Sequence, residues 1–90
     1  MSENGKKIHN VILEQRRRLN MSGVNEVIGF DDETITLDTE LGMLTIKGEG
    51  LKIGSFSASS KDIDIEGEII ALVYTGENTA KAGFFRRLMK

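Results

Sequence analysis

The chain has 90 residues, a formal net charge of -2 and no cysteine. A domain of this size buries only about 60 to 65% of its unfolded surface, so it supports one modest core and argues against a deep substrate cleft. Without cysteine there is no disulfide framework, thiolate nucleophile or cysteine zinc site, and self-association becomes a stronger expectation. Because residues 1–10 lack the apolar run of a signal peptide and no segment approaches the roughly 18 apolar residues of a membrane span, we expect a cytoplasmic protein.

Charge is distributed very unevenly along the chain. Residues 1–20 carry five basic and two acidic side chains, residues 21–78 carry three lysines against twelve acidic side chains, and residues 79–90 carry four basic side chains and no acidic one. Proteins that bind nucleic acids present a basic face on the folded body, because neutralising phosphate supplies most of their affinity. The acidic middle of this chain therefore predicts no nucleic-acid partner.

The first apolar residues fit two patterns. One is a helix with Ile8, Ile12 and Leu19 on one face, and the other is a pair of short strands. The β-branched side chains of Val11 and Ile12, with Gly23 as a boundary, favour the strands.

From residue 24 onward, apolar residues recur in pairs separated by one residue, which predicts strands with one face turned inward. The pairs are Ile35 with Leu37, Leu44 with Ile46, Leu51 with Ile53, Ile63 with Ile65, and Ile70 with Leu72. Turn-forming residues separate them at 31–33, 41–42, 48–50, 57–62 and 66–68. Such short connections predict an all-β domain, a small antiparallel meander that closes into a barrel or sandwich. A short β-solenoid is the alternative, but the spacings of 9, 7, 12 and 7 residues between pairs are too unequal for regular rungs.

Side chains capable of catalysis or metal binding are few. Carboxylates stand at every second position from 62 to 68, as in some Ca²⁺ sites, but neither a calcium-binding loop nor a histidine spacing accompanies them, so we interpret them as a solvated strand face. Residues 31–33 are typical of a polar turn, and His9, the only histidine, of a surface or strand-edge position. The sequence therefore predicts no catalytic residue, cofactor, metal site or small-molecule substrate.

The C-terminal segment has its own composition. Residues 1–75 are predicted to form the single domain, and residues 76–90 a flexible linker and basic-aromatic tail. Cationic side chains beside Phe and Leu suit an anionic membrane surface or a partner protein, although the tail could also dock on its own domain or remain disordered. The candidate contact residues are Phe84, Phe85, Arg86, Arg87, Leu88 and Lys90, with a secondary basic patch at Arg16, Arg17 and Arg18.

Residues 9–74 resemble the YabP/YqfC family of sporulation proteins. The residues that carry the resemblance are Leu19, Ser22, Gly23, Val24, Val27, Phe30, Asp31, Ile35, Leu37, Thr39, Gly42, Leu44, Ile46, Lys47, Gly48, Glu49, Leu51, Ile53, Ile65, Glu66, Gly67, Ile69 and Tyr74, followed by the Gly-Phe-Phe-Arg-Arg-Leu ending. Lys52 departs from the pattern, because many members carry histidine there.

The resemblance implies a protein of the mother cell that is needed for the spore cortex or coat and has no enzymatic activity. It also implies association with other sporulation proteins, one of which could be membrane-bound, at the outer forespore membrane. Homo-oligomerisation is a further expectation.

Overall fold

The computed structural model describes residues 8–75, which form six β-strands and no helix. The strands are β1 (Val11–Glu14), β2 (Arg18–Met21), β3 (Val24–Phe30), β4 (Thr34–Thr39), β5 (Gly42–Ser57) and β6 (Asp62–Thr75). Every strand pair is antiparallel. This confirms the predicted all-β antiparallel domain, including the choice of strands over a helix before Gly23, and it makes the solenoid alternative wrong, because a solenoid stacks its strands in parallel.

The strands lie in the order β1-β2-β6-β5-β4-β3. From β3 to β6 each strand pairs with the next along the chain, as in a meander, whereas β2 pairs with β6 through Met21 opposite Ile63 and Arg18 opposite Glu66. The edge strands β1 and β3 do not pair with each other. The sheet therefore remains open, and of the two predicted closures the barrel is not formed.

The long hairpin of β5 and β6 bends sharply where the sequence predicted turns. Glu49 lies opposite Glu68 at the bend, and the glycines beside them, Gly50 and Gly67, have φ of 62° and 137°. A Cβ atom on Gly67 would stand 2.7 Å from the carbonyl oxygen of Gly50, and a Cβ on Gly48 would overlap the carbonyl oxygen of Glu68. The turns predicted at 48–50 and 66–68 are wrong, because these glycines let two continuous strands bend together.

The bend divides the sheet into two layers that pack face to face. Layer A consists of β3, β4, residues 42–47 of β5 and residues 71–75 of β6, and layer B consists of β1, β2, residues 52–57 of β5 and residues 62–66 of β6. Side chains of both layers are completely buried in one cluster although no described helix covers either layer, so each layer covers the other. The cluster contains Leu19, Met21, Val24, Ile35, Leu37, Leu44, Ile46, Leu51, Ile63, Ile65 and Ile69.

Irregular pairing explains two errors of the sequence prediction. Strand β3 was not among the predicted pairs, because register shifts on either side of Glu26 and Val27 break its period of two. In β6, Ile70 was predicted to face inward, but it is 56% exposed and Ile69 is buried instead. The register shift next to Ile69 moves the inward face by one residue.

Candidate interaction surfaces

The predicted basic patch lies on the turn between β1 and β2. Gln15 and Arg16 occupy the turn with φ of 55° and 57°, and the Arg17 amide donates to the Glu14 carbonyl at 2.9 Å. These dihedrals are those of a two-residue hairpin turn that normally uses Asn and Gly. The turn is therefore held in a conformation that its own residues disfavour, so other contacts must stabilise it.

Those contacts reach the bend of β6. The Arg16 carbonyl accepts from the Ile69 amide at 2.8 Å, and Arg16 Nε donates to the Ile69 carbonyl at 3.1 Å. The Arg17 carbonyl accepts from the Gly67 amide at 3.1 Å. The guanidinium of Arg16 is thus part of the scaffold that closes the bend.

The remaining two arginines of the patch are exposed. Arg18 Nη2 lies 3.5 Å from Glu66 Oε2, and both side chains are at least half exposed, so this ion pair is weak. Within residues 8–75 the guanidinium of Arg17 forms no ion pair or hydrogen bond. Of the predicted patch, Arg17 is the residue whose guanidinium has no partner within residues 8–75.

The alternating carboxylates of β6 line the outer face of layer B. Asn20 Nδ2 donates to Asp64 Oδ1 at 2.5 Å and Ser55 Oγ donates to Asp64 Oδ2 at 3.2 Å, while Lys52 stands opposite Glu66 in the register. No group of three potential metal ligands occurs among the described residues. The row forms cross-strand pairs with polar and basic neighbours, which is the arrangement of a solvated strand face.

The acidic turn at 31–33 also has a structural use. The Asp31 carboxylate accepts from the amides of Glu33 and Thr34, both at 2.8 Å. The carbonyls of Asp32 and Glu33 accept from the amides of Leu51 and Gly48 at the bend, at 2.9 and 3.1 Å. This turn therefore ties β4 to the bend and confirms the predicted polar turn.

His9 joins the start of the described chain to the end of β6. Its Nδ1 lies 2.8 Å from the Ser22 carbonyl and its Nε2 2.7 Å from the Tyr74 hydroxyl, so Nδ1–H donates to Ser22 while Nε2 accepts from Tyr74. Burial raises the pKa of Tyr74, which keeps its hydroxyl protonated as a donor. His9 is half-buried and forms a structural contact, with no second histidine or cysteine to complete a catalytic site.

The outer face of layer A was not identified from the sequence. Thr36 lies opposite Thr45, Thr45 opposite Val73, and Met43 opposite Thr75, so these side chains share one face with Ala71. We call this surface, formed by Thr36, Met43, Thr45, Ala71, Val73 and Thr75, the threonine face. These six side chains are uncharged, and the same face is flanked by Asp38, opposite Met43, and by Lys47, opposite Ala71. The sequence signal was available, because the outward positions of 71–75 are uncharged whereas those of 62–68 are carboxylates.

The candidate contacts Phe84, Phe85, Arg86, Arg87, Leu88 and Lys90 lie outside the described residues. So does the boundary predicted for the linker and tail, residues 76–90. The part of the chain that the structure describes contains no helix long and apolar enough to cross a membrane.

The structure thus defines a small, open, two-layered antiparallel β domain in which Asp31 stabilises a turn and Asp64 and Glu66 form cross-strand pairs. The sequence model of the YabP family matches residues 5–81. The chain is also similar to the spore protein YabP of Bacillus subtilis (strain 168), with 37% identity over 84 residues that cover 91% of this chain and 84% of the relative. The chain belongs to the YabP family.

Proposed function

We propose that this chain is a non-enzymatic sporulation protein that acts in the mother cell, in assembly of the spore cortex or coat. Membership of the YabP family, with 37% identity to a spore protein, is the observation that carries the proposal. The carboxylates of Asp31 and Asp64 support it, because the first bonds to turn amides and the second to side chains of neighbouring strands. An assembly role requires surfaces for association and no substrate cleft.

Gene replacement tests the role in the cell. This chain, expressed in place of the spore protein YabP of Bacillus subtilis, is expected to restore whatever spore property that deletion removes, measured as heat-resistant spore counts and as cortex and coat thickness by electron microscopy. A fluorescent fusion is expected at the mother-cell side of the developing spore. Full-length protein that accumulates normally but restores no spore property would contradict the proposal.

Association with an anionic membrane surface or a partner protein is the proposed mechanism. The basic-aromatic tail, with Arg17 as a secondary contact, supplies apolar side chains and about 1 kcal/mol per basic residue near an anionic surface. Flotation with phosphatidylserine vesicles and with neutral vesicles should show binding of the full chain to the former alone, weakened by salt. Pull-down from sporulating cells tests the protein partner in parallel.

Two variants distinguish the contribution of the whole tail to binding from the contribution of its arginine charges. Truncation after residue 78 removes residues 79–90, which contain the basic-aromatic tail. The double change Arg86→Gln with Arg87→Gln removes two charges but keeps the aromatic side chains. We expect the truncation to abolish vesicle and partner binding and the double change to weaken vesicle binding by at least tenfold. Equal binding by the full chain and the truncated chain would exclude the tail from the mechanism.

A self-polymerising scaffold is a second candidate, favoured by the charge distribution. In this scaffold the basic ends of one copy contact the acidic body of another. Pairing between sheet edges is less favoured, because the edge strand β1 has only four residues and the edge strand β3 contains two register shifts. Sedimentation across protein concentration and salt tests it. Assemblies that dissociate when salt is added would support the charge mechanism. A protein that stays monomeric at high protein concentration and low salt would refute polymerisation.

A further inference from the structure

Two strand edges flank one side of the domain without pairing with each other. Strand β3 is an edge of layer A and residues 52–57 of β5 are an edge of layer B, because β3 pairs only with β4 and this part of β5 only with β6. Near their ends the edges are tied by the Val24 amide, which donates to the Lys61 carbonyl at 3.0 Å, and by the Leu51 amide, which donates to the Asp32 carbonyl at 2.9 Å. Between these two points no hydrogen bond joins them within residues 8–75.

Apolar side chains point towards this side from both layers. Each lies opposite a buried residue of the neighbouring strand and therefore shares its inner face; they are Val27, Phe30, Ile53 and Phe56. Val27, Ile53 and Phe56 pack against the core but are only half-buried. Phe30 is 68% exposed, more than any other large apolar side chain that the structure describes, and Ile28 beside it is 51% exposed. The core is thus open to solvent here, and we call the surface formed by these five residues the open side.

The open side is acidic at its rim. Residues 24–46, which include β3, β4 and the turn between them, contain six acidic side chains and no basic one. Four of the six are exposed and lie on β3 or in the turn that follows it, namely Glu26, Asp31, Asp32 and Glu33. The lysines that layer B adds, Lys52 and Lys61, have acidic neighbours of their own, Glu66 in the register and Glu40 in an ion pair. A molecule that covers the open side therefore meets a negative rim.

The opposite side of the domain differs in exposure and in charge. There the chain before and after β1 is bonded to β6 beyond the bend, through His9 to Tyr74 and Arg16 to Ile69. Leu13 and Tyr74 are 38% and 44% exposed, less than Phe30 and Ile28. Its rim includes the three arginines at 16–18. The most exposed apolar side chains and the uncompensated negative charge coincide only at the open side within the described residues.

We propose that the open side binds a segment of another protein that carries Lys or Arg next to apolar side chains. Exposed apolar patches with a polar rim are typical of interaction sites. The apolar side chains of the segment cover Phe30 and Ile28, and its basic side chains lie against the carboxylates of Glu26 and the turn at 31–33. Side-chain docking of this kind needs no added strand, which suits β3 because its two register shifts disturb regular edge pairing.

Charge disfavours the other occupants of such a surface. An anionic membrane or a nucleic acid would be repelled by the rim. The folded body of a second copy is also disfavoured, because residues 21–78 carry twelve acidic side chains against three lysines. A basic partner segment is the occupant that the charge distribution favours.

An NMR titration of the ¹⁵N-enriched full-length chain tests the proposal. The probe is the peptide Lys-Val-Lys-Phe-Lys-Val-Lys, and in the matched control peptide glutamate replaces every lysine. We expect the lysine peptide to shift the amide signals of Val27, Phe30 and Phe56, and the glutamate peptide to shift none of them. Absence of these shifts, or equal shifts with both peptides, would overturn the proposal. So would shifts of equal size in residues 62–68, because this second row of carboxylates would then bind the probe by charge alone.

A pair of single substitutions tests the apolar contact. Phe30→Ser is expected to weaken binding of the lysine peptide by about tenfold or more, as for an aromatic anchor. Ile70→Ser, the matched control, removes a 56% exposed side chain from β6 and is expected to leave the affinity unchanged. Both side chains are mostly exposed, so both variants should fold, which their amide spectra without peptide record. Equal affinities of Phe30→Ser and the unchanged chain would refute the role of the open side.

A pair of double substitutions tests the charge of the rim. Glu26→Gln with Asp32→Asn should lower the affinity for the lysine peptide and make it less dependent on salt. Asp62→Asn with Glu68→Gln removes the same charge from β6 and should change neither property. Equal effects of the two double changes would contradict the proposed basic partner.

This inference is independent of the proposed role in spores, because it is tested on the free chain with synthetic peptides. Spectra of the chain alone at increasing protein concentration complete the test. They should not change at Val27 and Phe30, since a change there would mean that another copy occupies the open side and would overturn the proposal.

Discussion

Gly67→Ala tests the importance of the bend between the two layers. Gly67 has φ of 137°, a region that side-chain-bearing residues rarely adopt, and the new Cβ would lie 2.7 Å from the Gly50 carbonyl oxygen and 2.8 Å from Leu51 Cα. The backbone strain costs on the order of 1–3 kcal/mol. Separating the strands by about half an ångström would also weaken the Gly67 hydrogen bond to the Arg17 carbonyl, about 0.5–1.5 kcal/mol.

Together these effects predict a loss of about 2–4 kcal/mol in the free energy of unfolding, a large part of the 5–15 kcal/mol typical of a domain. Urea titration followed by circular dichroism measures it. Gly29→Ala is the matched control, because its Cβ would have no atom within 4 Å and its φ is not in the left-handed region. The control should change stability by less than about 1 kcal/mol. Equal urea midpoints for the two variants would refute our interpretation of the bend.

The other predictions concern side-chain contacts. Arg16→Ala should lower the free energy of unfolding by about 1 kcal/mol, because it removes the hydrogen bond to the Ile69 carbonyl, whereas Arg18→Ala should cost less than about 0.5 kcal/mol since its ion pair is exposed. Thermal midpoints that rank the two variants in the opposite order would contradict this. A double-mutant cycle with His9→Ala and Tyr74→Phe should give a coupling energy of about 0.5–1 kcal/mol, and a value near zero would mean that their hydrogen bond contributes nothing. Because burial raises the pKa of Tyr74 above 10.0 in the folded chain, the unfolded chain loses this proton first, so stability should fall as the pH rises above about 10. Urea midpoints measured as a function of pH should fall less steeply in Tyr74→Phe than in the unchanged chain. An identical fall in both would refute the assignment of this pH dependence to Tyr74.

Strands could be predicted from the sequence wherever apolar and polar residues alternate regularly, and turns wherever they are stabilised by contacts between residues close in sequence. Ile35 and Leu37 on β4 and Leu44 and Ile46 on β5 are all completely buried, as their spacing indicated. The turn at 31–33 forms because the Asp31 carboxylate bonds to nearby amides, an interaction encoded within four residues. Such features need no knowledge of the rest of the fold.

The bend could not be predicted in the same way. Gly48 and Gly50 are equally compatible with a turn between two strands and with a bend inside one strand. What decides between them is distant in sequence, namely the approach of Gly67 to Gly50 and the contact of Arg16 with Ile69. The role of Arg16 was missed for the same reason, since a run of three arginines gives no sign that one of them bonds to a bent strand.

The folding of one sheet into two layers also determines where function can lie. In a chain of 90 residues the facing layers bury one cluster of apolar side chains as the core. The described part of the chain turns its polar groups, and some large apolar side chains such as Phe30 and Ile70, to two outer faces and a set of turns. On the outer face of layer B, Asp64 and Glu66 have partners on neighbouring strands, and the turns at 31–33 and around Arg16 have carbonyls bonded to the bend. The threonine face differs, because it is uncharged between Asp38 and Lys47 and contains two buried hydroxyls without a hydrogen-bond partner. Besides the open side, association with another molecule is therefore best tested there, since a ligand that offers hydrogen-bond partners at this face would satisfy the Thr45 and Thr75 hydroxyls.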